Sequence, residues 1–415
     1  MKTETQPRLR FPEFQNAGEW EECPIEEITA TVTPPKKLQT SEYQAEGEFP
    51  IVDQSQDYIC GWTNDGEAVI ALGLPVIVFG DHTCTLKFID RPFVQGADGI
   101  KILRPKRGID IRFLFCALEA NPVVQESYKR HFSMLKEKKM SFPDPKTAEQ
   151  QKIAECLSSV DELIAAQARK VDALKTHKKG LMQQLFPREG ENQPRLRFPE
   201  FQNAGEWHHT TVGGLVEEGC LFPPKDGNHG NIHPKSSDYV AKGIPFIMAS
   251  DLKGGLIDIE NCHFISKEQA DTLQKGFAKE GDILLSHKGT VGEVAVVRHI
   301  NTPYLMLTPQ VTYYRAKDRK KLSNEFLAQL FVADAFQSNL VEVSGGGTRA
   351  YIGITEQAKL RLQLPQELEE QQRIATCLTS LDALITAETQ KHEALKTHKK
   401  GLMQHLFPSP EEVEG

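Results

Sequence analysis

Apolar residues recur at alternating spacings of four and three along two long, otherwise polar stretches. In the first, Ile153, Leu157, Val160, Ile164, Val171, Leu174, Leu181 and Leu185 fall on one line, with Gln167 and Lys178 at the positions between. In the second, Ile374, Leu378, Leu381, Ile385, Leu395, Leu402 and Leu406 do the same, with Glu388, His392 and Lys399 as the polar members. A 3.5-residue period held this long predicts helices that each need a partner helix. Thr147 with Gln150 fits a capping box at the first start, and Pro187 and Pro408 stop the helices. At 1.5 Å per residue each helix is roughly 55 Å long.

The stretches preceding these helices have strand character. "LPVIVFGDHTCTLKFIDRPFVQGADGIKILRP" and "GDILLSHKGTVGEVAVVRHINTPYLMLTPQVTYYRA" each give an apolar strand, a polar loop holding His and Thr, then two further strands. Helical stretches follow, "IDIRFLFCALEAN" and "LSNEFLAQLFVADAFQSN", and each insert closes on a short strand running to Pro143 or Pro365.

The two halves are copies of one frame. Gln150–Pro187 aligns without gaps on Gln371–Pro408, with 26 of 38 positions identical, and includes "LKTHKKGLMQ" twice. "QPRLRFPEFQNAGEW" occurs unchanged at Gln6–Trp20 and at Gln193–Trp207. Chance produces neither match. The inserts between these frames differ in length and in nearly all of their sequence, as expected of one task performed on two targets. Joining the chain termini would recreate the central junction, so the chain reads as a ring of two half-units.

The expected fold class is α+β: two β-rich globular domains separated by two long antiparallel coiled-coil helices, in a pseudo-twofold circular repeat. The expected segments are 1–146 (an N-terminal segment and the first β-rich domain) and 147–187 (the central helix). They continue as 188–365 (a linker, the repeated segment and the second β-rich domain), 366–408 (the second helix) and 409–415 (a tail). Packing constrains only the helical seam, yet the outward letters "KTHKK" are also identical. Lys175, His177, Lys178 and Lys179, with Lys396, His398, Lys399 and Lys400, are therefore candidates for two copies of one docking surface.

Composition changes this picture little. The 415 residues carry a net charge of −8, but base clusters locally in "LRPKRGIDIR", "YKRHFSMLKEKK" and "YYRAKDRKK", and a phosphate footprint is local. No run of about 18 apolar residues exists, so no membrane partner is expected, and the N-terminus lacks an apolar signal core, which suggests a cytoplasmic protein. The eight cysteines are scattered without a CxxC pair, which fits reduced, buried thiols rather than a structural zinc site. His229 and His233 in "GNHGNIH" fit a Gly/Asn-rich loop better than a metal site. No metal ligand set and no catalytic constellation are expected, and the chain lacks both a GxxxxGK[ST] phosphate loop and an [ND]PP[YF]-type methyltransferase motif.

Polar side chains on a rigid strand scaffold suit the reading of base edges in double-stranded DNA. The candidates are Asp81, His82, Thr83, Lys87, Gln95 and Lys101 in the first insert. In the second they are Ser286, His287, Lys288, Thr290, Gln310 and Arg315. Thr348 and Arg349, in the glycine-rich "SGGGTRAYIG", are candidates for backbone contact.

With these parts in hand, the chain resembles the specificity subunit of a type I restriction–modification system over essentially its full length. The resemblance rests on "RFPEF…GEW" opening each insert, "P…EQQ[KR]IA" leading into each long helix and "L…KKGLMQ.LFP" closing it. It implies that each insert is a target-recognition domain reading half of a split site. The helices and frame would hold two modification (methyltransferase) subunits, with restriction subunits joining through these. It further implies that the chain itself carries no cofactor and no catalysis. S-adenosylmethionine, ATP and Mg²⁺ would belong to the partner subunits. The competing reading is a structural adaptor whose two inserts bind proteins.

Overall fold

The computed structural model describes residues 6–97, 99–126, 130–345 and 351–408. The chain forms two compact units, Met1–Arg169 with Thr389–Gly415, and Lys170–Glu388. Each unit therefore takes one insert together with part of each long helix, and cuts across the linear segments expected from the sequence.

The long helices span Glu149–Leu185 and Leu368–Leu406. Within the first unit, Lys399 of one helix pairs with Asp161 of the other at 2.8 Å. Within the second unit, Lys178 pairs with Asp382 at 2.6 Å and Lys170 with Glu388 at 2.5 Å. In the second unit, residue numbers rise on one helix as they fall on the other, so the two segments run antiparallel there. The seam read from the sequence is the buried line: Ile153, Leu157, Val171, Leu185, Ile374, Leu378 and Leu406 are buried, and polar Gln167 is buried among them.

The expected capping box is absent, and its glutamine does something else. The Thr147 hydroxyl donates to the Asp144 carbonyl. Buried Gln150 accepts from the Asp110 amide at 2.8 Å and donates to the Pro143 carbonyl at 2.9 Å. Gln371 repeats this in the second unit, accepting from the Ser323 amide and donating to the Pro365 carbonyl. An amide side chain offers a donor and an acceptor at once. Each glutamine thereby ties the start of a long helix to the preceding strand end and to the start of a shorter helix.

Both inserts fold on the same strand order. In the first unit one antiparallel sheet runs Thr29–Val32, Ile100–Pro105, Val76–Gly80, Leu86–Ile89. Its counterpart in the second unit runs Lys225–Asp226, Val311–Tyr314, Ile283–Ser286, Val294–Val296. The companion sheets also correspond. Phe49–Val52 lies parallel to Phe93–Gln95, and Ile244–Ile247 lies parallel to Leu305–Leu307. The second unit adds the edge strand Tyr239–Val240 and the hairpin Leu252–Lys253/Leu256–Ile257, which absorb part of its greater length. A two-stranded clasp closes each insert: Glu21–Pro24 with Lys139–Phe142, and His208–Thr211 with Arg361–Leu364.

The repeated frame supplies the cores beneath these sheets. Trp20 and Phe407 pack on Phe113 at centroid distances of 5.9 and 5.5 Å. Trp207 and Phe186 pack on Phe326 at 5.9 and 5.7 Å. The first insert's helical stretch is one helix, Ile111–Ala120; the second's is two, Asn324–Val332 and Asp334–Ser344, broken at Ala333. All eight cysteines are free. No helix among the described residues is long and apolar enough to cross a membrane.

Candidate nucleic-acid interface

The polar turns named from the sequence occupy equivalent places in the two units. In the first, the Asp81 amide donates to the Gly99 carbonyl at 2.6 Å, and the Asp81 carbonyl accepts from the His131 amide at 2.7 Å. In the second, the His287 amide donates to the Gln310 carbonyl at 2.8 Å, and the His287 carbonyl accepts from the Ile352 amide at 3.0 Å. Each turn is thus held between a neighbouring strand end and the segment that follows the helices. Gly99, at φ +104°, sits against the Gln54 amide, where a Cβ would come within 2.8 Å of it. Only glycine fits there.

Four of the candidate side chains, Asp81, Lys87, Ser286 and Arg315, are engaged in holding this scaffold, and two more, Gln95 and His287, are buried, so none of the six is displayed as an exposed DNA contact. Buried Asp81 accepts from the Phe132 amide at 2.8 Å, fixing the start of the helix Phe132–Glu137. Lys87 is 4% exposed and donates to the Asp53 carbonyl at 2.8 Å and to that of Asp57. Burial pushes its ammonium below the usual lysine range. Gln95 is buried in a strand. Buried Ser286 accepts from the Glu293 amide at 2.9 Å and so closes its loop. Arg315 grips Asp282 with both its Nε and a terminal nitrogen and lies over the Tyr313 ring. His287 is fully buried. Strand alternation turns Lys87 inward, the strands holding Gln95 and Ser286 are buried on both faces, and Asp81, His287 and Arg315 lie just past strand ends; residue type reveals none of these placements.

The remaining candidates stay accessible. His82 and Thr83 are half-buried, and the Thr83 hydroxyl donates to the Gln54 carbonyl at 2.8 Å. Half-buried Lys101 lies 5.4 Å from the Phe132 ring centroid. Lys288 and Thr290 are exposed, and Gln310 is half-buried. Thr348 and Arg349 lie outside the described residues.

Beside the second turn lies a cleft of about 310 Å³, lined by His229, Gly230, His233, Met248, Lys288, Thr308, Pro309 and Gln310. Six of these residues, including both histidines, were not read as interface residues from the sequence. The "GNHGNIH" loop carried a signal, though not for metal. His229 Nε2 lies 2.6 Å from an Asp226 carboxylate oxygen, and Lys275 also reaches Asp226. Burial alone would raise Asp226, but these two partners outweigh it and hold its carboxyl below the usual range. Among the described residues no group of three or more His, Cys, Asp and Glu could hold a metal ion.

The docking candidates divide similarly. Lys175, His177 and Lys179 are exposed, as are Lys396, His398 and Lys400. Lys178 and Lys399 are instead seam residues: Lys178 pairs with Asp382, and Lys399 with Asp161 and Glu119. Their ammonium groups are used inside their own units.

Several known proteins are similar to this chain. Residues 222–397 match the family described as the Type I restriction modification DNA specificity domain. The chain is 23% identical over 332 residues to the type I restriction enzyme MjaVIII specificity subunit of Methanocaldococcus jannaschii, covering 77% of this chain and 75% of that one. It is 24% identical over 274 residues to the putative MjaX specificity subunit of the same organism, covering 65% and 59%. Among solved structures, the type I restriction–modification S subunit from M. genitalium superposes with a TM-score of 0.64 at 16% identity, over 98% of this chain and all of that one. A chain from work on assembly and conformational transition of the type I R-M system superposes at 0.53 and 17%, over 92% and 96%. The resemblance to type I specificity subunits read from the sequence therefore holds, and the fold is theirs.

Proposed function

We propose that this chain is the DNA-reading subunit of a type I restriction–modification complex, and that each unit reads one half of a bipartite site. One observation carries the reading. The two units share strand order and the backbone hydrogen bonds that hold the turns, while the side chains displayed there differ. A constant scaffold with divergent polar turns fits two readers of different sequences. His82, Thr83 and Lys101 are the accessible polar groups of the first; Lys288, Thr290 and Gln310 are those of the second.

The exposed Lys175, His177 and Lys179 recur as Lys396, His398 and Lys400, two copies of one surface suited to two modification subunits. Restriction subunits would join through these. S-adenosylmethionine, ATP and Mg²⁺ are assigned to the partner subunits, and the chain itself contributes recognition rather than a catalytic step. The sequence supports this division through the two motifs it lacks.

The test is a salt titration of the chain with its modification subunits on duplex DNA. The logarithm of the binding constant should fall linearly with the logarithm of salt, as phosphate contacts require. The footprint should show two separated tracts. Absence of binding at low salt would favour an adaptor whose inserts hold proteins.

A further inference from the structure

The cleft in the second unit contains polar atoms that the fold leaves unsatisfied. Thr308 lines it, is 3% exposed, and its hydroxyl has no hydrogen-bond partner. The His233 Nδ1, also at the cleft, is buried beside the Asn228 backbone without a hydrogen bond of good geometry. Nearby, the fully buried His287 lies beside Ile352 but has no partner of good hydrogen-bond geometry on either ring nitrogen, and the buried Thr312 hydroxyl has none either. A buried polar group without a partner forfeits its hydration with nothing in return, so such a cluster in a well-packed fold marks a place where a polar ligand completes the structure.

The counterpart turn of the first unit is different. Asp81 holds the position of His287, and its carboxylate is satisfied by the Phe132 amide. In the same unit the Tyr43 hydroxyl accepts from the Ala97 amide at 2.9 Å. The orphaned groups at this turn thus belong to the second unit's divergent side chains, whereas those of the shared frame are the equivalent Trp20 and Trp207 indole nitrogens.

The cleft's chemistry narrows the ligand. Burial pushes His233 and His287 below the usual histidine range, so these two rings are neutral at pH 7. A phosphate would favour several cations, and here there is one, the exposed Lys288 at the rim. The Gln310 amide oxygen accepts from the Ala249 amide at 3.3 Å, which directs its NH₂ group to other acceptors. An ammonium, an amide NH₂ and a threonine hydroxyl on one cleft match a base edge carrying two acceptors. Guanine presents O6 and N7 in the major groove, and lysine is among their preferred partners.

We propose that the cleft formed by His233, Lys288, Thr308 and Gln310 reads the acceptor edge of a guanine in the half-site bound by the second unit. This assignment rests on the DNA-reading function proposed above. Lys288 and the Gln310 NH₂ meet the acceptors, and Thr308 completes the contact from the cleft wall. The first unit, without such a cluster at its counterpart turn, reads its half-site through different chemistry.

The experiment selects bound sequences from a randomised duplex library with the full chain and its modification subunits, comparing wild type with Lys288→Ala and Thr308→Val. Threonine and valine have nearly the same shape, and Lys288 is exposed, so both variants are expected to fold; circular dichroism checks this, and Lys288→Gln is a third variant. Each should reduce discrimination at one G·C pair of one half-site on the order of tenfold to a hundredfold, the scale of one lost base contact. The other half-site should be unchanged. The assignment is overturned if no position loosens, if the loosened position is not G·C, or if affinity falls equally on all sequences, which indicates a phosphate contact. A wild-type complex that ranks all sequences alike would instead refute the DNA-reading function, and this inference with it.

Discussion

Arg197 grips Glu370 through both carboxylate oxygens, at 2.7 and 2.6 Å, across 173 positions of sequence. Arg10 grips Glu149 in the same way, at 2.7 Å twice. Each arginine also donates to two carbonyls of its own frame segment, Ala204 and Gly205 or Ala17 and Gly18. The "RLRFPEF" motif is thereby clamped to the start of a long helix in each unit. Both glutamates have side chains only 1% exposed. Arg197→Ala should destabilise the second unit by about 3–5 kcal/mol, the cost of leaving a buried charge without its partner. Arg10→Ala should act similarly on the first. Urea unfolding of each variant checks this; a loss below about 1 kcal/mol, typical of exposed pairs, would contradict it.

The exposed and seam members of the "KTHKK" repeat should separate in their effects. Replacing Lys175, His177 and Lys179 together by alanine should change stability by no more than about 0.5 kcal/mol per site, since exposed positions seldom matter more. The same change should weaken association with the modification subunit. Lys178→Ala should cost about 0–1 kcal/mol through its partly exposed pair with Asp382, with little effect on association. Paired pull-down and thermal-melt measurements distinguish the two outcomes.

Acid should loosen the second unit through Asp226. Its folded carboxyl titrates below its unfolded value of about 3.9, so its contribution is complete above that value. The contribution is lost as pH falls through the folded pKa, within the window below about pH 4. Asp226→Asn should remove part of the acid dependence there and lower stability at neutral pH, where Lys275 and His229 lose their partner. Unfolding followed against pH for both proteins is the check.

The Leu9 amide donates to the His405 carbonyl at 2.9 Å, and the Leu196 amide donates to the Gln184 carbonyl at the same distance. The N-terminal frame thus completes the C-terminal helix as the central frame completes the central helix, without a covalent link. A circular permutant joining residue 415 to residue 1 and opened within residues 188–192 should keep its fold and its DNA preference. Circular dichroism and bound-sequence selection would show either retention or collapse.

Much of this architecture was legible because it rests on periodicity and repetition. The helical seam from Ile153 to Leu185 follows from spacing alone, and identical frames imply identical clamps. Individual roles were not legible. Gln150 looked like a capping residue but ties three elements together, because its tertiary partners, the Asp110 amide and the Pro143 carbonyl, are invisible to local pattern. Lys87 and Arg315 carry DNA-binding chemistry in their side chains, yet strand alternation turns one inward and Asp282 captures the other. Conversely, Thr308 gave no sign in the sequence, since its significance lies in a missing hydrogen bond that only packing reveals.

The central claim is that two equivalent frames carry two interchangeable DNA readers. It is tested most directly by replacing residues 21–149 with a second copy of residues 208–370 and mapping the methylated positions in DNA from cells that also make the modification subunit. The account expects methylation at a site built from two identical half-sites in inverted orientation, both matching the wild-type half-site of the second unit. Methylation at the unaltered wild-type site, or at a site containing that half only once, would contradict it.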